Sequence, residues 1–521
     1  MNEKLSALPI GIQTFEKLRA GGCLYVDKTA RLQELIAGGT SYFLSRSRRF
    51  GKSLTLSTLD AMFSGKAELF KGLAAEAWVA EQAKHPAPVL RLDMSSLQEY
   101  SSAESLDKAI RTRLHEVVSD RGLGSVEGDR CGEIFRQVIR ALFKAVGPVV
   151  VLIDEYDKPI LDNIGDLEGA DAMRRVLRSF YTVLKSCDEY LRFVMLTGIS
   201  KFSKAGVFSA MNNLNDISMD RHCGDIVGYT QTELEENFAG WIEVTAESLS
   251  LDKKGLLEKI KDYYDGFSFD GRAQLYNPFS ILNFFAKQEF RNYWYTSGSP
   301  SFIADYMKRH GIQDPEEYHD VVVELDFADS QEIERANPVS FLYQAGYLTV
   351  RRQEEEQYIL DYPNREVRNS ISRMYLEHVY HVPGYVPLGS DIWRSLKVGD
   401  MARVVELYNA ALSGIPYEDY TGQGESWYRS LFLMLLRGAG VTANGEVHSN
   451  RGRSDVQVSF PGQAIILEFK YARTSGALDN RRAEGERQIE EKNYARPYDA
   501  EGRRVTGAVI VIDGEKRAAV L

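Results

Sequence analysis

A dense run of aliphatic residues, Val149-Val150-Val151-Leu152-Ile153, constrains the fold of this chain more than any other feature of the sequence. Five consecutive apolar residues, most of them β-branched, predict a strand that is buried on both faces, because a half-exposed strand would alternate apolar with polar side chains. Shorter apolar runs, separated by stretches with helical periodicity, lie at 41–44, 89–92 and 193–196. Strands that alternate with helices predict a parallel α/β sheet.

The pattern of the sequence changes near residue 229. Helical patterns and two aromatic-rich loops, at 263–269 and 275–285, continue to about residue 420, and a compact β-rich segment follows. A chain of 521 residues is long enough for several domains. We therefore predict an α/β core over residues 1–228, a helical middle region over 229–420 and a smaller C-terminal α/β domain over 421–521.

Composition excludes several classes of protein. Lys and Arg number 63 against 74 Asp and Glu, which gives a net charge of −11. A protein that binds nucleic acid over most of its surface should be basic, so any such contact here must be local. The four cysteines form no C-x-x-C pair, which argues against a zinc ribbon or a dithiol redox site. The N-terminus lacks the apolar core of a signal peptide and no apolar run could span a bilayer, so we predict a cytoplasmic protein without a membrane partner.

Gly51-Lys52-Ser53 stands between a short strand and a helical run that begins at Leu54. This is the context of a phosphate-binding loop, in which backbone N–H groups at a helix N-terminus hold phosphate oxygens. The lysine then neutralises the β- and γ-phosphates, and the serine hydroxyl binds magnesium. The loop departs from the usual G-x-x-x-x-G-K-[ST] pattern, because Arg46 occupies the position of the first glycine. A Gly-Lys-Ser triplet on its own occurs often by chance.

Two later strands add polar groups where a bound nucleotide would need them. Asp154 and Glu155 follow the Val149–Ile153 strand, and Thr197 follows the strand over 193–196. Ligands of open α/β sheets bind at these carboxyl ends. Asp154 would hold magnesium, directly or through water, Glu155 would act as general base on the attacking water, and Thr197 would sense the γ-phosphate. The alternative is a sheet edge with solvated carboxylates, but three such signals in the expected order favour a nucleotide site.

Four segments resemble the bacterial AAA-ATPase-like proteins: LSRSRRFGKSLTLSTL (44–59), VVVLIDEYDKPI (149–160), LTGISKFSKAGVFSAMNNL (196–214) and LYNPFSILNFF (275–285). In that family an RxRRFGKS loop replaces the usual phosphate loop, so Arg46 fits the family pattern. The resemblance covers roughly residues 5–300 and implies a P-loop NTPase core. It implies ATP and magnesium binding by Lys52, Ser53 and Asp154, with Glu155 as the hydrolytic base. It leaves open whether the loop hydrolyses ATP or only binds it.

Two further arginines, Arg48 and Arg49, precede Gly51 in the same loop. As cations beside a phosphate site they could contact the triphosphate directly. Otherwise they face solvent or an acidic neighbour, and the sequence leaves both interpretations open.

A second set of polar residues lies in a predicted β-hairpin near the C-terminus. Strand-like runs at 452–460 and 463–470 flank a Pro-Gly turn. A symmetric loop of two or four residues gives the same register, in which the numbers of facing residues sum to 923. Asp455 would then lie opposite Glu468, with Lys470 two residues further along the same face. Facing carboxylates repel each other unless a cation neutralises them, so the hairpin predicts a divalent metal site.

An Asp, Glu and Lys set of this kind is suited to metal-assisted hydrolysis of a phosphodiester, with the lysine stabilising a developing charge or orienting water. Mg²⁺ is the expected ion and Mn²⁺ an alternative, because both take oxygen ligands. The competing interpretation is the solvated face of an edge hairpin. Ile465-Ile466-Leu467, directly before Glu468, argues against it because this run predicts a buried strand.

The same region resembles the PD-(D/E)XK nuclease domain found at the C-terminus of many AAA-ATPase-like proteins. The match covers about residues 420–515 and implies a restriction-endonuclease-like α/β fold whose central motif is the Asp, Glu and Lys set just described. It also implies a metal-binding role for Glu425, with Glu446 as a less favoured alternative. Gln488 matches the polar position on the following helix and is assigned a catalytic role on that basis.

Basic residues near that helix give a modest indication of nucleic acid binding. From 446 to 521, Lys and Arg number 13 against 12 Asp and Glu, whereas the rest of the chain is acidic. Five of them cluster on and around one helix and would either meet a phosphate backbone or only be solvated: Arg481, Arg482, Arg487, Lys492 and Arg496.

Together these observations predict an AAA-like protein that binds and hydrolyses ATP and is coupled to a magnesium-dependent nuclease-like domain. That domain is expected to act on nucleic acid, with DNA as the favoured substrate. The protein could also form a homo-oligomer. ATP binding would order the Arg46–Ser53 loop and move the helical region, which would change access to the metal site. The alternative is an ATP-dependent regulatory or binding protein whose nuclease-like domain is inactive and serves as an interaction module.

Overall fold

The computed structural model of this chain describes residues 5–201, 213–296, 303–304, 306–307, 310, 315–328, 337–415, 423–449, 452–460, 462–492 and 503–521. The chain divides into two compact units. The first comprises Met1–Gly298 and Asp320–Arg365, and the second comprises Ser299–His319 and Glu366–Leu521. The three-domain division drawn from the sequence stays a prediction.

A sheet of five parallel strands forms the centre of the first unit. The strands are β1 Ser41–Ser45, β2 Val89–Asp93, β3 Val149–Asp154, β4 Leu191–Gly198 and β5 Asn215–Asp216. Their order is β2-β3-β4-β1-β5. Every residue of β3 is buried, as expected for a strand with both faces covered. The predicted parallel α/β sheet is confirmed, and because β3, β4 and β1 are neighbours, their carboxyl ends share one edge of the sheet.

Amphipathic helices accompany this sheet. They are α1 Phe15–Ala20, α2 Thr29–Gly38, α3 Lys52–Phe63, α4 Glu76–Gln82, α5 Ala103–Asp120, α6 Cys131–Ala145, α7 Lys158–Leu161 and α8 Leu167–Ser186. The spacing of apolar residues explains why they pack, and α6 illustrates the rule. It buries Ile134, Phe135, Val138, Ile139 and Leu142, which repeat at helical intervals and form one stripe.

Among the described helices the longest are α8, with 20 residues, and α5, with 18. Both carry several charged side chains between their buried apolar positions. None of the helices in the described part of the chain is long and apolar enough to cross a membrane.

The rest of the first unit is mainly helical, as predicted, but it also contains a small antiparallel sheet. Its helices are α9 Gln231–Asn237, α10 Ala239–Ser248, α11 Lys253–Tyr264, α12 Pro278–Lys287, α13 Tyr293–Thr296 and α14 Pro338–Ala345. The strands are β6 Val321–Glu324, β7 Thr349–Glu354 and β8 Gln357–Asp361, in the order β6-β8-β7. The sequence analysis did not identify them, because β7 and the turn to β8 are rich in charged residues that strands usually lack.

Aromatic side chains form the core of this helical part. Phe238 stacks on Phe285 with ring centroids 5.1 Å apart, and Tyr264 contacts Phe284 at 5.6 Å. All four belong to one buried cluster. Tyr276, near the start of the aromatic-rich segment over 275–285, belongs to the same cluster, so the segment is anchored in this core at both ends.

The second unit contains a mixed sheet with helices. Its strands are β9 Ala443–Ser449, β10 Gly452–Phe460, β11 Gln463–Ala472, β12 Arg504–Asp513 and β13 Ala518–Val520, in the order β13-β12-β11-β10-β9. Strands β11 and β12 are parallel, and the other neighbours are antiparallel. The helices are α15 Arg365–Met374, α16 Tyr385–Val398, α17 Met401–Ser413, α18 Glu425–Gly438 and α19 Leu478–Lys492. The predicted C-terminal α/β domain is confirmed, and α18 is buried from Trp427 onward.

Candidate nucleotide and metal sites

Residues 46–51 form the loop between β1 and α3, where the sequence predicts a phosphate-binding loop. Gly51 immediately precedes α3 and has a φ of 96°, in the left-handed region. An alanine there would be strained by its backbone rather than by crowding, because no atom lies within 4 Å of a Cβ built on Gly51. The glycine lets the chain turn into α3, whose first N–H groups have no partner within the helix and are available to an anion.

Lys52 is buried inside this loop. Its Nζ donates hydrogen bonds to the carbonyl oxygens of Arg46, at 2.8 Å, and Ser47, at 3.0 Å. Burial lowers the pKa of Lys52 to about 8, although the nearby charge of Asp154 opposes the shift. Ser47 Oγ is buried as well and has no hydrogen-bond partner within the described part of the chain. A buried ammonium and an unpaired hydroxyl in one loop fit the phosphates of a nucleotide, because charged oxygens satisfy both groups better than carbonyls do.

The carboxyl ends of β3 and β4 meet at the predicted place. Thr197 Oγ1 donates a hydrogen bond of 2.7 Å to Asp154 Oδ1, and both side chains are buried. Glu155 has a φ of 48°, and burial raises its pKa in spite of the attraction of Lys52. Ser53 is half-buried in the first turn of α3. The structure therefore gathers the predicted lysine, aspartate, glutamate and threonine at one edge of the sheet.

Arg46, which replaces the first glycine of the usual loop, is almost fully buried. Its guanidinium donates hydrogen bonds to the carbonyl oxygens of Ser45, at 2.9 Å, of Cys223, at 3.2 Å, and of Ser218. Burial lowers its pKa to about 10. These bonds commit the guanidinium to the protein interior, so Arg46 anchors the loop rather than offering a charge to a ligand.

The other two arginines of the loop differ in exposure. Arg48 is half-buried, and its charge adds to burial in lowering the pKa of Lys52. Arg49 is exposed, and its guanidinium lies over the ring of Phe279, 5.1 Å from the centroid. Arg48 is therefore within electrostatic range of the site.

Asp157 is a buried carboxylate that the sequence analysis did not single out. It accepts hydrogen bonds from Ile199 N, at 3.0 Å, from Ser200 N, at 2.7 Å, and from Ser200 Oγ, at 2.6 Å. The hydroxyl of Tyr156 donates to the carbonyl oxygen of Ser200 at 3.0 Å. Burial raises the pKa of Asp157 even with these donors around it. The residues after β3 thus hold the segment that follows Thr197 in place.

We expect Asp157→Ala to lower the free energy of unfolding by about 3 kcal/mol, because it leaves three donors without their acceptor in a buried place. Chemical denaturation measures the change. Asp188→Ala is the matched control, since Asp188 is exposed, and it should change stability by less than about 0.5 kcal/mol. Equal losses in the two variants would contradict the role given to Asp157.

In the second unit, the predicted hairpin register is confirmed. Strands β10 and β11 pair antiparallel with Val456 opposite Leu467, and every pair in this ladder sums to 923. Gly462 in the turn has a φ of 77°, as the third residue of a type II turn requires. Asp455 and Glu468 directly adjoin Val456 and Leu467, the last pair of this ladder.

Glu468 is a deeply buried carboxylate, with 1% of its side chain exposed. Its Oε1 accepts a hydrogen bond of 3.0 Å from Lys470 Nζ, whereas Oε2 is buried and has no hydrogen-bond partner among the described residues. Burial, together with the charges of Asp455 and Glu425, raises the pKa of Glu468 to about 7 against the attraction of Lys470. For Lys470, burial disfavours the ammonium, but the attraction of the same three carboxylates outweighs it and raises the pKa.

Both oxygens of Asp455 already have partners. Oδ2 accepts a hydrogen bond of 2.7 Å from Phe469 N, and Oδ1 pairs with Arg429 Nη1 at 3.2 Å. Arg429 projects from α18, and both side chains of the pair are largely buried. The arginine therefore occupies Oδ1 of Asp455.

Helices α18 and α19 supply the remaining predicted residues. Glu425, in the first turn of α18, accepts a hydrogen bond of 3.0 Å from Tyr471 N, and burial raises its pKa in spite of the attraction of Lys470. Gln488 is half-buried on α19. Helix α19 passes close to β11, as shown by Gly485: a Cβ built on it would lie 3.4 Å from Lys470 Cγ.

The fit of this set to a metal ion depends on Arg429. As they stand, no three His, Cys, Asp or Glu side chains within the described ranges are placed to hold one. Glu468 Oε2 is a buried acceptor without a partner, which is unfavourable unless a cation or a donor reaches it. The carboxylates therefore fit a hard divalent ion once Arg429 releases Asp455.

The predicted nucleic acid surface on α19 is of mixed charge. Arg481 pairs with Glu484 at 2.7 Å, and the helix carries five acidic and four basic side chains. Several positions discussed above lie outside the described residues: Pro461, Arg496, the side chain of Glu446 and residues 202–212 of the third resembling segment.

Two family models match the chain. A model described as "Predicted AAA-ATPase" matches residues 9–208, and one described as "PD-(D/E)XK nuclease superfamily" matches residues 423–520. An uncharacterised protein of Azotobacter chroococcum mcd 1, named for its place in the vnfD 5′ region, is 35% identical over 525 residues, with 98% of each chain covered. The chain belongs to the AAA-ATPase-like family with a C-terminal PD-(D/E)XK nuclease superfamily domain.

Two solved structures are similar to this AAA-ATPase-like protein. The ORC1 protein of Aeropyrum pernix, solved in complex with DNA, is 11% identical, with 66% of this chain and 92% of that chain covered and a TM-score of 0.24. The ORC2 protein of Aeropyrum pernix, solved as ADPNP–ADP complexes, is 13% identical, with 71% and 96% covered and a TM-score of 0.27. Scores at this level carry no argument about function.

Sequence analysis of this AAA-ATPase-like protein missed Arg429 and Asp157, although both have a detectable signal. Arg429 follows Glu425 by four residues, so the two share one face of a helix, next to the predicted metal site. Asp157 is a further carboxylate two residues beyond Glu155, in a segment that already resembles the family. No sequence pattern distinguishes the buried Arg46 from Arg48 and Arg49, the other two arginines of the loop.

Proposed function

We propose that this protein binds and hydrolyses ATP with magnesium in its first unit, and that its second unit is a metal-dependent phosphodiesterase acting on nucleic acid, with DNA as the favoured substrate. The observation that carries the second part is that three carboxylates accept hydrogen bonds from residues 469–471 of β11. Asp455 accepts from Phe469 N, Glu425 from Tyr471 N and Glu468 from Lys470 Nζ. The first part is supported by the grouping of Lys52, Asp154 and Thr197 at the sheet edge.

In the nucleotide site, Lys52 exchanges the two loop carbonyls for phosphate oxygens, and Arg48 adds a second positive charge. Asp154 and Ser53 would hold magnesium, which would neutralise charge on the β- and γ-phosphates. Glu155 lies beside Asp154 and accepts a proton from the attacking water. Thr197 keeps Asp154 oriented through their hydrogen bond.

In the nuclease-like site, Glu468, Asp455 and Glu425 would hold the ion. A bound Mg²⁺ or Mn²⁺ lowers the pKa of a water molecule and neutralises the phosphate. Lys470, whose ammonium the carboxylates stabilise, faces the negative charge that develops on the phosphate. Gln488 orients water or a phosphate oxygen from α19.

A specific observation favours a second function. The guanidinium of Arg429 pairs with Asp455, and this pair neutralises the aspartate without any metal. If the pair is permanent, the nuclease-like unit is an interaction module and the protein is an ATP-dependent regulator. The homo-oligomer, the coupling between the two sites and the cytoplasmic location stay predictions from the sequence.

Incubation with supercoiled plasmid, ATP and Mg²⁺ or Mn²⁺ separates the two functions. The wild type should nick the plasmid, and Asp455→Ala should cut it at least about 100-fold more slowly, because a ligand of the ion is lost. Asp479→Ala is the control, since Asp479 is an exposed aspartate in the first turn of α19, and it should cut normally. No cleavage by the wild type with ATP present favours the interaction module.

A further inference from the structure

Three segments from the helical part of the first unit pack against the phosphate loop. They are residues 267–269, 277–279 and 344–346, and they lie more than 200 positions beyond the loop in the sequence. We refer to them as the loop support. The sequence indicates aromatic-rich loops in the first two segments but nothing about their contact with the loop.

The first segment encloses both ends of the loop in aromatic rings. The guanidinium of Arg46 lies over the ring of Phe269, 4.2 Å from its centroid. Phe50 packs edge-on against Phe267 and Phe269, with centroid distances of 4.9 and 5.3 Å. All four side chains are buried, so these contacts hold the loop without competition from water.

The second segment bonds to the loop backbone through Asn277. Its Nδ2 donates a hydrogen bond of 3.2 Å to the carbonyl oxygen of Arg48. Its Oδ1 accepts from Phe279 N, at 3.0 Å, and from Ser280 N, at 3.3 Å, and so caps α12. One fully buried amide therefore fixes the loop and the helix relative to each other.

The third segment contacts the loop at Gly346, the residue after α14. Gly346 has a φ of 89°, and a Cβ built on it would lie 2.4 Å from Ser47 Cβ. Nearby, Gln344 Oε1 accepts a hydrogen bond of 3.2 Å from Lys201 N, shortly after the end of β4. Helix α14 therefore touches both the phosphate loop and the segment that follows Thr197.

The conformation of the loop explains why it needs support. Its first glycine position is Arg46, and Arg49 has a φ of 68°, in the left-handed region that side chains other than glycine rarely adopt. Such a conformation persists only where the surroundings impose it. In a glycine-rich loop the backbone can adopt comparable angles by itself, whereas here neighbouring elements must hold it.

We propose that Asn277 and Gly346 are positioning residues of the nucleotide site, through which the helical part of the first unit shapes the phosphate loop. This rests on the proposed ATP binding. Because linkage is reciprocal, a nucleotide that orders the loop also strengthens its packing against the loop support. The helical part thereby senses nucleotide through the phosphate loop.

Asn277→Asp is the sharpest test. Aspartate keeps the oxygen that caps α12 but loses the N–H donor to Arg48 and places a negative oxygen against that carbonyl. We expect ATP affinity, measured by calorimetry, to fall about tenfold, and amide hydrogen exchange of residues 46–53 in the free protein to speed up at least about fivefold. Asn337→Asp is the matched control, because Asn337 caps α14 in the same way by accepting from Ser340 N at 2.9 Å. It should leave both measurements unchanged.

Gly346→Ala provides a second variant. The added methyl group meets Ser47, and the backbone is strained as well, so ATP affinity should again fall at least about tenfold. Gly399→Ala imposes similar strain after α16, with a φ of 78° and no atom within 4 Å of the new Cβ. It should leave ATP affinity unchanged.

The inference is overturned if both variants, Asn277→Asp and Gly346→Ala, match the wild type in ATP affinity and in the amide hydrogen-exchange rates of residues 46–53. If the wild type binds no ATP, the proposed function fails instead. Hydrogen exchange in the free protein then still decides whether the loop support positions the loop.

Discussion

Lys52→Ala should abolish the stabilisation that ATP gives this protein against heat. A ligand at 100 times its Kd stabilises the folded state by about 2.7 kcal/mol, which corresponds to a rise in Tm of roughly 5 °C for a large domain. Lys52 is the buried cation of the loop and is held there by two backbone carbonyls. Without it the phosphates lose their main charged donor. Differential scanning fluorimetry with and without ATP and Mg²⁺ measures the shift.

Lys84→Ala is the control for this experiment, because Lys84 is an exposed lysine paired with Glu81. ATP should raise the Tm of this variant as much as it raises that of the wild type. An undiminished shift in Lys52→Ala would remove Lys52 from the nucleotide site.

The ATP affinity of the wild type should also depend on pH. Burial lowers the pKa of Lys52 to about 8 in the free protein, and a bound triphosphate raises it again by charge attraction. Binding therefore takes up a proton at alkaline pH, so the affinity should weaken as the pH rises above 8. Calorimetry at pH 7 and pH 9 measures this.

Glu468→Gln should weaken Mn²⁺ binding by at least about 100-fold, because it removes the charge of the carboxylate in this site whose Oε2 is buried without a partner among the described residues. Isothermal titration with Mn²⁺ measures the loss without relying on cleavage. In the wild type a proton competes for Glu468, whose pKa is raised to about 7, so affinity should rise about tenfold per pH unit up to 7 and then level off. An affinity that is independent of pH and equal in both proteins would show that the ion binds elsewhere.

In the absence of metal, the free energy of unfolding should fall as the pH rises, which is opposite to the change in Mn²⁺ affinity. The folded-state pKa of Glu468 lies above its ordinary value of 4.5. The stability that protonated Glu468 contributes to the folded state is therefore fully present below pH 4.5 and is lost as the pH rises through 7. The difference corresponds to roughly 3 kcal/mol. Metal-free Glu468→Gln should therefore be more stable than the wild type at pH 8, by up to about that amount, and denaturation at pH 5 and pH 8 measures the change.

The variant Arg429→Gln tests whether the arginine competes with the metal ion for Asp455. Removing the guanidinium frees Asp455 Oδ1, so Mn²⁺ affinity should rise about tenfold, equivalent to about 1.4 kcal/mol. A lower affinity in this variant would mean that Arg429 orders the site rather than blocking it.

Much of both sites was predictable because it follows local patterns. The aliphatic run of β3, the Gly-Lys-Ser triplet before α3 and Thr197 after β4 each identify a strand end or helix start from a few neighbouring residues. Neighbouring parallel strands then bring those ends together. In the same way, one short turn fixes the register of the hairpin, and Asp455 and Glu468 directly adjoin the last pair of that ladder.

The sequence by itself therefore determined the parallel sheet, the hairpin register and the residues at the strand ends, since periodicity and spacing act over short distances. Only the tertiary structure decided that Arg46 points into the interior, that Asn277 bonds to a loop 229 positions away, and that Arg429 occupies one side of Asp455. Such contacts join elements far apart in the chain. Their geometry depends on how whole helices and sheets pack, which no local pattern encodes.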